Sequence, residues 1–171
     1  MLLNAFTAFH VLLSLIGIAS GLVVLYGWLT ARAFPGWTAW FLTTTVATSV
    51  TGFLFPFHGF KPSYAVGILS LLALALAIAA RYRYDLVGGW RKTYVISAIV
   101  ALYFNVFVLF AQLFMKVPPL KALAPTGSEP PFLVVQIVVM VLFVVLGFRA
   151  VAKFRDGGGS FLETKRSAAG A

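Results

Sequence analysis

The sequence predicts an all-α integral membrane protein, a bundle of five transmembrane helices with its N-terminus outside and its C-terminus in the cytoplasm. Apolar residues make up 61% of the 171 residues and charged residues only 10%, whereas a soluble domain is near half apolar and a quarter charged. The charged residues fall only between long apolar stretches. Lys and Arg divide unevenly among those gaps, as they do between the loops on the two sides of a membrane.

Windows free of Lys, Arg, Asp and Glu mark the spans. The five long windows are residues 1–31, 33–60, 62–80, 93–115 and 130–148. A helix needs about 20 apolar residues to cross a hydrocarbon core of about 30 Å, and each window is long enough or nearly so. We therefore predict one five-helix membrane domain over residues 1–155. Its predicted spans lie near 6–29, 38–57, 63–81, 93–115 and 132–152.

The two ends of the chain have different compositions. The first residues lack the positive charge that begins a secretory signal, and the apolar stretch behind them is too long for one, so we expect a retained helix. Residues 156–171 are small and polar, with three consecutive glycines and several charges. They predict a disordered, basic and Gly-rich cytoplasmic tail.

The distribution of Lys and Arg predicts the orientation. An odd number of spans places the two termini on opposite sides of the membrane. With the N-terminus outside, ten of the 13 basic residues are cytoplasmic, including all seven arginines, and only Lys61, Lys116 and Lys121 are external. Cytoplasmic loops carry such an excess of Lys and Arg, and we expect the inner membrane of a bacterium. The four tryptophans then all fall at the cytoplasmic interface, where amphipathic rings are favoured.

Several chemistries are excluded by composition. A net charge of +9 would suggest nucleic acid in a soluble domain, but here the charges sit in short loops, so the expected partner is the lipid bilayer and not nucleic acid. The absence of cysteine excludes disulfides, iron–sulfur clusters and covalently attached c-type haem. No charged residue lies in the interior of a span, since Arg81 and Arg149 fall only at the cytoplasmic ends of two of them. The four carboxylates are scattered in loops, so we predict no enzymatic activity.

Two stripes of small and hydroxylated residues predict how the first two helices pack. Helix association in lipid relies on the close approach of small residues and on hydrogen bonds. In the first helix the stripe is His10, Ser14, Gly17 and Gly21, and it contains a GxxxG element. In the second helix the stripe is Thr44, Thr48, Thr51, Phe55 and His58. We interpret these glycines and threonines as packing residues, with the hydroxyls bonded to the chain or to a neighbouring helix.

In the outer half of the predicted bundle, several polar side chains lie among phenylalanines. Eleven of the 17 phenylalanines fall in this half, and polar groups set in aromatic walls are typical of a ligand pocket. The external loop 116–131 is long enough to be a lid over it, or is a simple connection. The candidate site residues are His10, His58, Asn105, Gln112 and Gln136.

The two histidines give this cluster its sharpest interpretation. His10 and His58 end the two stripes on the same side of the membrane, on consecutive helices. Two neutral imidazoles could ligate a b-type haem or bond the carbonyls of a quinone, and with Met115 they could bind copper. Alternatively, His58 lies in an interfacial turn and His10 only bonds Ser14 or a neighbouring helix.

Two functional hypotheses follow from these patterns. The first is a non-enzymatic accessory or scaffold subunit that binds other membrane proteins, favoured by the packing stripes and the lack of catalytic groups. The second is a haem- or quinone-binding membrane protein of electron transfer that uses the His/Gln cluster.

Overall fold

The computed structural model describes residues 2–55 and 62–154, and all of its regular structure is helical. Five of the helices have 17 residues or more, and short segments connect most of them. A π-helical turn, Ala79–Arg83, continues α3, and the short α5 lies inside the predicted external loop. The helices are α1 Leu2–Leu29, α2 Pro35–Phe53, α3 Pro62–Ile78, α4 Trp90–Lys116, α5 Pro118–Leu123 and α6 Pro130–Lys153.

Four helices of the described chain are long and apolar enough to cross a membrane: α1, α3 with its π-helical turn, α4 and α6. This confirms the all-helical membrane class of the fold. The remaining long helix, α2, has 19 residues, and six threonines and one serine make it less apolar than the others. It ends at Phe53, short of the predicted residue 57, because Pro56 disfavours helical geometry in the residue before it.

The helix α2 turns its hydroxylated face towards the other helices. Thr44, Thr45 and Thr48 are buried, whereas Trp37 and Trp40 are exposed. The hydroxyls of Thr44 and Thr48 donate to the carbonyls four residues earlier in the same helix, at 2.7 and 2.8 Å. Such bonds let a hydroxyl face an apolar interior without an unsatisfied donor. The helix is therefore polar on its packed side and apolar on its outer side.

The helix α4 lies at the centre of the bundle. It contacts α1, α2, α3, α5 and α6, and half of its membrane-spanning window is buried, against 17% for α6. Ala98 and Ala101 are fully buried, so small side chains let the neighbouring backbones approach. The outermost helix, α6, leaves most of its apolar surface exposed.

The glycines of α1 lie where α1 meets both α2 and α4. A Cβ atom added at Gly21 would be 2.6 Å from Leu102 Cδ1 and 2.9 Å from the Phe41 ring. One added at Gly17 would lie 3.1 Å from Thr45 Oγ1 and 3.3 Å from Asn105 Nδ2. At Gly21 a methyl group would overlap the neighbouring helices, whereas at Gly17 it would be a tight contact that the neighbouring side chains must shift to accept.

Large aromatic side chains close the end of the bundle at which α1 ends. Trp28 is only 3% exposed and packs edge-on against Tyr94, with ring centroids 5.4 Å apart, and Phe154 lies against both rings. Trp28 is thus a core residue and not part of the expected interfacial belt of tryptophans. Trp37 and Trp40 remain on the surface, as rings at a membrane interface do.

We expect Gly21→Ala to lower the free energy of unfolding by about 1–3 kcal/mol, because the added methyl group overlaps Leu102 and Phe41. Gly147→Ala in α6 is the matched control. There the nearest atom, Ile99 Cγ2, would be at an ordinary 3.7 Å, and alanine favours the helix by about 1 kcal/mol. Unfolding in detergent measures both, and equal stabilities for the two variants would contradict the close approach at Gly21.

Candidate functional site

The polar residues of the predicted cluster lie at different helix interfaces. His10 faces α2 from α1, Asn105 faces α2 from α4, and Gln136 faces α4 from α6. Gln112 is exposed, although it is seven residues from the buried Asn105. His58 lies outside the described residues, so its pairing with His10 stays a prediction. Within the described chain these side chains act at separate contacts and do not converge on one point.

His10 is held by a hydrogen bond and by an aromatic edge. Its Nδ1 lies 2.8 Å from Thr51 Oγ1, and its ring meets the Phe55 ring at 89° with centroids 5.1 Å apart. The Thr51 hydroxyl donates its own proton to the Ala47 carbonyl at 2.7 Å. With the Thr51 proton on that carbonyl, we assign His10 the tautomer that donates from Nδ1, which places the lone pair on Nε2. The side chain is half-buried.

The surroundings of His10 on α1 and α2 are small residues. Ser14 is half-buried one turn inward from His10. Gly52 of α2 passes close to the imidazole, so that a Cβ there would be 3.6 Å from His10 Cε1. The imidazole therefore fits against the backbone of α2 at the point where Gly52 has no side chain.

Asn105 forms the polar junction deepest in the bundle. Its amide donates to Thr45 Oγ1 over 3.4 Å, and Gly17 lies against both side chains. Asn105 is 7% exposed and Thr45 is fully buried. Three helices thus meet around one hydrogen bond, which is possible because Gly17 leaves room for it. The stripe predicted from the sequence named Thr44, whereas Thr45, one residue further on, accepts this bond.

Gln136 joins α6 to α4. Its Nε2 donates to the carbonyl of Phe107 over 3.2 Å, and the side chain is 7% exposed. Its Oε1 is buried with no hydrogen-bond partner among the described residues. A backbone carbonyl in α4 is thereby satisfied twice, by its own helix and by a neighbour's amide.

A further bond links α2 to α3, where the Ser49 hydroxyl donates to the Ser70 hydroxyl over 3.3 Å. Side chains of α2 therefore bond to α1, α3 and α4. The unusual number of hydroxylated residues in 38–51 indicated from the sequence that this helix would form polar contacts. The sequence did not indicate which residues of the other helices they would bond.

The loop between α4 and α6 is structured by Glu129. Its carboxylate accepts hydrogen bonds from Thr126 N, Thr126 Oγ1 and Ser128 N at 2.9–3.0 Å. These bonds, the one from the Thr126 backbone first, lower the pKa of Glu129 below its ordinary value of 4.5. The helix α5 occupies the first half of the loop, with Leu123 exposed. The lid role of the loop stays a prediction.

The described residues offer few ligands for the copper ion predicted at His10 and Met115. Met115 is 62% exposed at the end of α4. No group of three or more His, Asp or Glu side chains that could hold a metal ion occurs in the part of the chain that the structure describes. Any metal bound at His10 would need His58 or a backbone donor beside it.

Fold and interfaces together define an all-helical integral membrane protein whose intramembrane polar groups connect its helices. Comparisons with protein families, with curated proteins and with solved structures found no match to this chain.

We expect the His10–Thr51 bond to couple α1 to α2 energetically. In a double-mutant cycle with His10→Leu and Thr51→Val, the coupling should be about 0.6 kcal/mol and at most about 2 kcal/mol, as for other hydrogen bonds between membrane helices. Thr48→Val is the control, because the Thr48 hydroxyl donates only within its own helix. Unfolding in detergent gives the four free energies of each cycle. A coupling as large with Thr48 as with Thr51 would show that the imidazole does not bond Thr51.

Proposed function

We propose that this chain is a non-enzymatic accessory or scaffold subunit of a membrane protein complex, with five spans, an external N-terminus and a cytoplasmic C-terminus. One observation carries the proposal: His10, Ser49, Asn105 and Gln136 each bond a neighbouring helix. Side chains used in this way stabilise the bundle, and this accounts for them without a transported ion or a substrate. A small and rigid bundle suits a protein that acts through its outer surface.

The hydrogen bonds of α2 support its place as the fifth span. A helix of 19 residues is about 28 Å long, close to the thickness of the hydrocarbon core. Its inner face bonds α1, α3 and α4, and its outer face carries Trp37, Trp40 and Val50, which suit a lipid environment. A helix that lay on the membrane surface would not reach three spanning helices with one face.

The orientation can be tested with single cysteines because the chain has none of its own. We expect Thr126→Cys to react with a membrane-impermeant maleimide in intact cells. Ala33→Cys and Val87→Cys should react only after permeabilisation. All three positions are exposed, so a difference in labelling reports the side of the membrane and not burial. If the cysteines at 33 and 87 were labelled from opposite sides, α2 and α3 would not both be spans.

The outer face of α6 is the surface that favours a partner subunit. It carries exposed branched apolar residues along its whole length, and Phe148 near its inner end is 75% exposed. Among the described helices it packs mainly against α4 and α1, and most of its surface is exposed along the membrane span. We expect a partner helix to lie there.

The second candidate function is a haem- or quinone-binding protein, and the geometry of His10 supports it. The bond to Thr51 orients the ring and leaves Nε2 as an electron-pair donor, as the outer partner of a metal-ligating histidine does. The rings of Phe6 and Phe55, with centroids 4.9 Å apart, supply an apolar aromatic wall beside it.

Cross-linking in membranes, followed by mass spectrometry and absorption spectroscopy of the solubilised protein, tests both functions. We expect a photoreactive residue at Val141 in α6 to yield one discrete protein adduct on irradiation in native membranes. The same residue at Leu72 in α3 is the control, because Leu72 is equally exposed on a different helix. Native mass spectrometry of the solubilised complex should give a fixed stoichiometry with the cross-linked protein, without visible absorption.

Three results would overturn the accessory function: lipid adducts alone at Val141, equal protein adducts at Val141 and Leu72, or the mass of a lone chain. A haem absorption band that His10→Leu abolishes would instead establish the second candidate. A bound quinone, identified by its mass and lost in the same variant, would do so as well.

A further inference from the structure

A groove of about 370 Å³ runs between α2 and α3 at the end of the bundle where α3 passes into its π-helical turn. It opens to the surface of the helix bundle, where lipid surrounds the protein, and its size lies in the range of about 300–1,000 Å³ that suits a small ligand. The residues that line it are Ala39, Leu42, Thr43, Val46, Ile78 and Tyr82. The groove is thus mainly apolar, with polar atoms only from a threonine and a tyrosine.

Two arginines lie in the π-helical turn that also carries Tyr82, one of the residues lining the groove. The guanidinium of Arg81 lies 5.6 Å from the centre of the Tyr82 ring, which lines the groove, and 5.5 Å from the centre of the buried Tyr94 ring. Arg83, two residues on, lies over Tyr84, which stacks on Trp90 at 3.9 Å. Aromatic rings hold cations in this way without neutralising them.

No carboxylate of the described chain forms an ion pair with Arg81, whose guanidinium lies between two tyrosine rings. Its Nε is buried with no hydrogen-bond partner in the described chain. The acidic residue nearest in sequence, Asp85, is exposed in the turn beyond the π-helical segment. A half-buried guanidinium with an unsatisfied donor, and with no ion-paired carboxylate among the described residues, favours an anion from outside the protein.

We propose that this groove and its arginines form a binding site for an anionic phospholipid. One acyl chain lies in the groove between α2 and α3, against Leu42, Val46 and Ile78. The phosphate lies at the membrane surface, against the guanidinium groups of Arg81 and Arg83. Tyr82, which is 58% exposed, has an amphipathic ring that suits the boundary between chain and headgroup.

Charge complementarity identifies the lipid class. A zwitterionic headgroup carries a cation of its own and would place it beside the arginines. An anionic headgroup carries only the phosphate charge, and attraction to basic residues at the surface favours it by about fivefold in affinity per residue. The apolar groove adds a contact that a free phosphate ion cannot make.

The test is a lipid titration of the full chain, delipidated in detergent and followed by native mass spectrometry. The two probes are phosphatidylglycerol and phosphatidylcholine with identical acyl chains. We expect one phosphatidylglycerol to bind with clear preference over phosphatidylcholine. Arg81→Gln should reduce that preference about fivefold. Thr43→Phe, which fills the groove from an exposed position, should weaken the binding of phosphatidylglycerol, while Leu72→Phe on the opposite part of α3 should not.

Arg81→Lys keeps the positive charge and guards against misfolding of the glutamine variant, since lysine should retain most of the preference. The proposal is overturned if the two lipids bind equally, or if Thr43→Phe and Leu72→Phe have the same effect. It is also overturned if inorganic phosphate alone displaces the lipid at millimolar concentration, because the groove would then contribute nothing. Loss of phosphatidylglycerol binding in both Thr43→Phe and Arg81→Gln supports it.

Discussion

The close approach of α1 to α2 and α4 at Gly17 and Gly21 is the constraint on which the rest of the structure depends. Within a bilayer the hydrophobic effect does not favour contact between helices over contact with lipid. Short interhelical distances supply the stability instead, and they are available where the side chains are small or missing. The bond from Asn105 to Thr45 lies beside Gly17 and needs that same distance.

The helix α2 packs with its hydroxylated face inward because apolar contact with lipid is as favourable as apolar contact with another helix. In water an amphipathic helix turns its apolar side inward, whereas here hydroxyls face the bundle and tryptophans face outward. The hydroxyls of Thr44, Thr48 and Thr51 are satisfied by carbonyls of their own helix. The Thr51 hydroxyl also bonds His10 of α1, and the Thr45 hydroxyl accepts from Asn105 of α4. The polar groups that the bilayer makes costly become the connections between helices.

The sequence predicted the all-helical class with its long apolar helices, because charge-free windows are local properties of the chain. It did not predict which polar groups meet, because that depends on the rotation of each helix about its axis. Asn105 and Gln112 share a face by spacing, yet Gln112 is exposed where the bundle ends. Trp28 was expected at the interface by its depth, but its side chain turns inward onto Tyr94.

The arginines at one end of the bundle show how a single composition signal can carry two physical roles. Orientation in the membrane requires only that positive charge be retained on one side, and solvated side chains would serve that purpose fully. Arg81 is instead half-buried between two tyrosine rings, with its Nε removed from water. Desolvation of a guanidinium costs free energy, and setting the orientation of the protein in the membrane does not require that desolvation. A fixed charge beside an apolar groove has a use when an anion with an apolar tail binds there, which is the combination that a phospholipid provides.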